Sequence, residues 1–213
     1  MKERGMIFNG EMVRAILDGR KTQTRRIMKN QPAEVGPEAP VQARNVGAGF
    51  QWYGDDGVSS VFDCPFGGVG DRIWVRETFQ GPLFDFDQMD AYCKDSAPFE
   101  KSQFCVYKAD GKPAPEFFDA DDNLRCCWRP SIHMPRWASR ILLEITDIRV
   151  ERLNDISECD AKAEGAPTEC TLIGDKHYPG FRSLWESIYG NDSWQTSPWV
   201  WVIEFKHIQE PAQ

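Results

Sequence analysis

Strand-patterned stretches in this chain are not regularly interleaved with helix-patterned ones, and that limits the folds open to it. SRILLEITDIRVERL, residues 139–153, is the longest. Ile141, Leu143 and Ile145 mark one face, and Leu142, Ile148 and Val150 supply apolar residues to the other. GDRIWVRETF (70–79), QFCVYKAD (103–110) and WVWVIEFK (199–206) also read as strands. A parallel βαβ sheet needs a helix after each strand, so it is excluded, and the pattern predicts an α+β fold or a small decorated barrel.

Three helices are expected, all short. Asn9 caps the first, Glu11 stands in its first turn, and Met12, Val13, Ile16 and Leu17 line one face up to Gly19. Ser157 caps a second helix through Ala163, which Gly165 stops. In FRSLWESIYG, Phe181, Leu184, Trp185 and Ile188 recur at i, i+3, i+4, i+7, and Gly190 closes the third. Proline- and glycine-rich stretches at about 30–70, 80–102 and 111–137 read as long inserted loops on one domain spanning residues 1–213.

The formal charge of the chain is −8, yet residues 1–30 carry eight Lys/Arg against three acids. Overall acidity excludes a non-specific nucleic-acid coat, and a local basic segment suits one anionic ligand. The segment GRKTQTRR (19–26) begins where the first helix stops. Its Lys21 and Thr24 form a possible base and nucleophile, provided that the chain bends enough to bring them to one side. Burial or nearby cations would depress Lys21 toward a basic role; otherwise the segment is a solvated cationic surface.

Other residues invite readings of their own. Trp74 and Arg76 share a strand face, where Trp74 stacks a base or packs in the core. Glu77 is a charge in an apolar strand, so it pairs with an arginine or faces a pocket. Arg136 lies in RPSIHMPRWASR, an acid-free stretch suited to phosphate contact or to a solvated loop. The seven cysteines (64, 93, 105, 126, 127, 159, 170) include no CxxC pair, so neither a disulfide framework nor a zinc site is expected. No cofactor motif is present. No apolar run reaches the ~18 residues of a membrane span, and MKERGMIFNGEM has no apolar signal core. These features predict a cytoplasmic protein without membrane partners.

ILDGRKTQTRR resembles the G-x-K-T-x-T-x-R signature of ASCH domains, relatives of the PUA fold. GDRIWVRETF, LNDISECDAKAEG and FRSLWESIYG…WVWVIEF are similar to the same family in the same order, and CPFG and PSIHMPRWASRI resemble its long phage and prophage members. The resemblance implies a small β-barrel with helices at its openings, and a nucleoside, nucleotide or RNA partner. One branch of the family removes the acetyl group of N4-acetylcytidine with a lysine, a threonine and a glutamate. By resemblance these fall on Lys21, Thr24 and Glu164, with Arg26 as oxyanion or phosphate ligand and Arg20 beside it. Arg25 departs from the apolar residue usual in the compact enzymes. A non-catalytic RNA or modified-base reader and a ribonuclease are the alternatives that the same family implies.

Overall fold

The computed structural model describes residues 1–32, 42–47, 49–54, 57–119, 123–171 and 174–208. Parts of the expected insertions, at 33–41, 48, 55–56 and 120–122, lie outside these residues. The main elements are β1 (Glu3–Ile7), α1 (Gly10–Leu17), β2 (Gln23–Ile27), β3 (Arg72–Arg76), β4 (Leu142–Arg152), α2 (Glu158–Ala163), α3 (His177–Tyr189) and β5 (Trp199–Ile208). The five strands form a sheet in the order β1-β3-β4-β5-β2, so the fold is α+β.

Among the described residues the strands form no closed barrel; the order leaves β1 and β2 as its ends. Just before β2, Lys21 makes its bridge to Glu164 at the end of α2, so a helix end occupies the place where a further strand would pair. No helix among the described residues is long and apolar enough to cross a membrane.

The chain groups into two compact units. The first comprises Met1–Lys2, Asp18–Arg72 and Glu144–Lys206. In it β2 runs antiparallel to β5, pairing Gln23 with Glu204, Thr24 with Ile203, Arg25 with Val202 and Arg26 with Trp201. Directly opposed residues share a sheet face. Val200 and Val202 enter a core with Leu153, Ile156, Ala161, Phe181, Trp185 and Trp194, so Gln23, Arg25 and Ile27 face α2 and α3. Trp201 lies on the opposite face, edge-on to Phe50 and Phe62, and Thr24 and Arg26 belong to that side of β2.

The second unit comprises Glu3–Leu17, Ile73–Leu143 and His207–Gln213. Its core includes Phe79, Tyr107, Met134 and Ala138. Asn9 caps α1, accepting from Met12 N at 2.8 Å. The expected strand at 103–110 shrinks to Val106–Tyr107, because its partner, Phe79–Gln80, is two residues long and runs into Gly81-Pro82. The insertions also contain ordered elements: a hairpin of Gln42–Val46 with Gly49–Gly54, and the helix Met89–Lys94.

α3 starts at His177, four residues before the expected point, because Glu158 accepts from the backbone N–H groups of His177 and Tyr178 at 2.6 and 3.0 Å. Within α3, Gly180 lies against the backbone of Pro167. A Cβ at Gly180 would come 2.0 Å from the Pro167 oxygen, which cannot swing aside. Gly180→Ala is therefore expected to cost about 2–3 kcal/mol in urea unfolding, and an unchanged midpoint would contradict this packing.

Candidate functional site: a buried lysine at a helix end

Helix α2 is closed at its start by a capping box. Ser157 accepts from Asp160 N, and Asp160 accepts from Ser157 N. Its other end meets the basic segment. Helix ends leave carbonyls without intrahelical partners, and here the donors come from residues 20–22 in reverse order. Thr22 N donates to Ala163 O at 2.8 Å, Lys21 Nζ to Glu164 O at 2.9 Å, and Arg20 Nη1 more weakly to Gly165 O at 3.5 Å. Gly165, with φ of 73°, turns the chain away as a helix-ending glycine does.

Lys21 Nζ also donates to Glu164 Oε2 at 2.7 Å, and both side chains are almost wholly buried, 0% and 3% exposed. The other oxygen of Glu164 takes Arg25 Nη1 at 3.2 Å, so one buried carboxylate is held between two cations. Arg25 continues to Glu151 at 3.1 Å and Asp160 at 3.6 Å, and its guanidinium stands 6.0 Å from the Phe181 ring centroid. Arg149 joins Glu151, Glu204 and Asp160 into the same network. Gln23 donates to Asp160 O and Oδ1 at 3.0 and 3.2 Å.

Burial pulls the Lys21 ammonium below its ordinary pKa of 10.5. The charge and hydrogen bond of Glu164 oppose that, while Arg26 and Arg25 deepen the depression. Burial pushes the Asp160 carboxyl up, but hydrogen bonds from Ser157 and the Arg25 charge outweigh it and leave the group below its usual value.

Thr24 is buried at 1% exposure, opposite Ile203. Lys21 and Glu164 are thus brought together, while no hydrogen bond joins Thr24 to either among the described residues. Arg26 stands opposite Trp201, close enough for its charge to act on Lys21. Arg20 pairs with Asp18 at 2.8 Å.

The remaining sequence candidates belong to the second unit. Trp74 and Arg76 lie over Gly5 of β1, where an added Cβ would meet them at 2.6 and 2.9 Å. The Arg76 guanidinium is 5.5 Å from the Trp74 ring centroid. Glu77 is an arginine partner: Arg140 grips it bidentately at 3.0 and 3.1 Å, and also holds Asp110. Burial pushes the Glu77 carboxyl up against the pull of Arg140. Arg136 pairs with Glu3 at 3.0 Å.

Sequence reasoning did not assign Arg25, Glu151, Asp160, Gln23 and Arg149 to one network. Part of their signal is present as a charged alternation in DIRVER and in QTRR, but neither stretch names its partner. Among the described residues no group of three or more His, Cys, Asp or Glu side chains is placed to hold a metal ion. No protein-family model, curated protein or solved structure matches the chain.

Removing one member of a buried ion pair strands the other, at about 3–5 kcal/mol. Glu164→Gln, which leaves two buried cations facing an amide, is expected to lose that much in urea unfolding. A loss under ~1 kcal/mol, typical of an exposed pair, would mean that solvent reaches the cluster. The lysine also gives a pH signature. Unfolded, Lys21 keeps its proton up to about 10.5; folded, it releases it earlier. Between those values the unfolded state binds more protons, so stability gains from Lys21 as pH rises through that window. Lys21→Met should erase this gain, and parallel stability–pH curves for the two proteins would refute the depressed pKa.

Proposed function

We propose that this chain is an ASCH-type, PUA-like cytoplasmic protein that removes an acyl group from the exocyclic amine of an N4-acylated cytosine nucleoside or nucleotide. One observation carries the reading: Lys21 and Glu164, paired by the motif resemblance alone, meet at 2.7 Å although 143 residues separate them. A lysine whose ammonium is disfavoured by burial is suited to taking a proton, and a carboxylate bonded to it is suited to relaying one.

The chemistry follows from those groups. Neutral Lys21 takes the Thr24 hydroxyl proton as Thr24 Oγ attacks the acyl carbonyl. Arg26 and the buried cations offset the charge developing on the carbonyl oxygen. The C–N bond breaks as the exocyclic nitrogen receives a proton relayed through Lys21 and Glu164. Water then hydrolyses the threonyl ester and restores Thr24. Thr24 stands on the Trp201 side of β2 and Lys21 Nζ on Glu164 at the end of α2, so the first step requires that substrate both free Lys21 from Glu164 and carry it round to the Thr24 hydroxyl.

A second reading, a non-catalytic reader of a base, is favoured by the aromatic groove of the first unit. Trp52, Phe62, Phe66 and Trp201 line a cavity of about 680 Å³ there, and aromatic faces stack bases without regard to sequence.

Incubation with N4-acetylcytidine and its phosphorylated form, followed by mass spectrometry, separates the two. The amidohydrolase releases cytidine and acetate, Lys21→Ala slows it by about 10²–10⁴-fold, and Thr24→Ala prevents formation of the acyl-threonine. Binding without release of acetate, unaffected by Thr24→Ala, would establish the reader instead.

A further inference from the structure

The two segments that bring Lys21 to Glu164 also wall a cavity of about 760 Å³, within the size range of small-molecule sites. Gly19, Arg20 and Thr22 flank Lys21 on one wall, and Ala163 and Gly165 flank Glu164 on the other. The hydrogen bond from Thr22 N to Ala163 O, 2.8 Å, ties the walls together. Lys162, Thr168 and His177 complete its polar lining, and no residue of that lining is acidic. In a chain of net charge −8 this is an unusual surface. Acids lie close behind it, so the preference for an anion rests on the groups facing inward.

Those groups retain donors. Arg20 spends Nε and one Nη2 hydrogen on Asp18 and one Nη1 hydrogen on Gly165 O, which leaves two of the five guanidinium N–H groups. Lys162 is exposed and makes no ion pair among the described residues. The His177 ring is fixed by Nδ1, which donates to Ala166 O at 2.9 Å and leaves Nε2 as the ring's other polar atom. An arginine, a lysine and two threonines lining one space supply the charge and the donors that suit a phosphate group.

We infer that this cavity holds a phosphate of the substrate, so that the site acts on a nucleotide or on a cytosine within RNA in preference to a free nucleoside. The inference rests on the amidohydrolase reading for the identity of the base, and on the cavity lining for the phosphate. It gives the basic segment two roles: Lys21 turns inward to Glu164, while Arg20 and Thr22 turn outward to the ligand.

Calorimetry with inorganic phosphate, cytidine, 5′-CMP and a short cytosine-containing oligoribonucleotide tests it, using the wild-type chain and an Arg20→Gln/Lys162→Gln variant. Both positions are exposed, so the variant retains the fold. CMP should bind about tenfold more tightly than cytidine, inorganic phosphate should compete with it, and the variant should bring CMP down to the level of cytidine. Equal binding of CMP and cytidine by the wild type, or a CMP advantage that survives in the variant, overturns the proposal. A tighter oligonucleotide assigns a phosphodiester, and a preference for CMP assigns a phosphomonoester. Acetate release is read separately from affinity. A phosphate-dependent affinity without deacetylation keeps this site and removes the amidohydrolase reading. Deacetylation that is indifferent to phosphate and to the variant does the reverse.

Discussion

The ammonium of Lys21 sits at a helix terminus, out of reach of water, on the carbonyl and the carboxylate of one residue, Glu164. The two bonds do different work. The bond to the carbonyl satisfies an end of α2 that would otherwise be buried without a donor. The bond to the carboxylate balances a charge that the interior cannot tolerate alone. Because Arg25 takes the other oxygen, β2, β4 and α2 are held by one set of charges. Moving any of these elements separates ions in a low-dielectric setting. The same tension gives Lys21 its chemical interest, since desolvation and two arginines pull its ammonium below the ordinary pKa while one carboxylate supports it.

What the sequence made legible follows from the range of the forces involved. Asn9, the capping pair Ser157 and Asp160, and the glycines at 19 and 165 act on their own neighbours, so the ends of α1 and α2 could be read directly. The strands at 142–152 and 199–208 were legible because their apolar residues cover both faces. β1 was not, because Glu3, Arg4 and Gly5 have no strand preference and pair only because β3 presents an open edge. The early start of α3 also escaped, since its cap is Glu158, 19 residues upstream.

The candidate site divides along the same line. Lys21 and Glu164 were placed together by an ordered set of motifs, whereas nothing local announces that Arg25 meets Glu151, 126 residues away. That contact explains how an arginine occupies a position where an apolar residue would pack against Phe181 and the neighbouring core. Glu77 shows the same logic in the second unit: its sequence context called for an arginine or a pocket, and Arg140 supplies the arginine while also resting 3.9 Å from the Tyr107 ring centroid. The buried charges of this protein are matched pairs assembled from distant segments, and pairing of that kind is a property of the fold, not of any window of sequence.

Burial lowers the proton affinity of Lys21, and the Glu164 carboxylate supports it. Side-chain NMR of lysine-labelled protein, following the Nζ resonance of Lys21 through a pH titration in the wild type and in Glu164→Gln, measures that affinity. Lys21 should release its proton below 10.5, and Glu164→Gln should lower it further by removing the carboxylate that supports the ammonium. Release of the Lys21 proton at or above 10.5, or a Glu164→Gln variant in which its pKa is unmoved or raised, would contradict this.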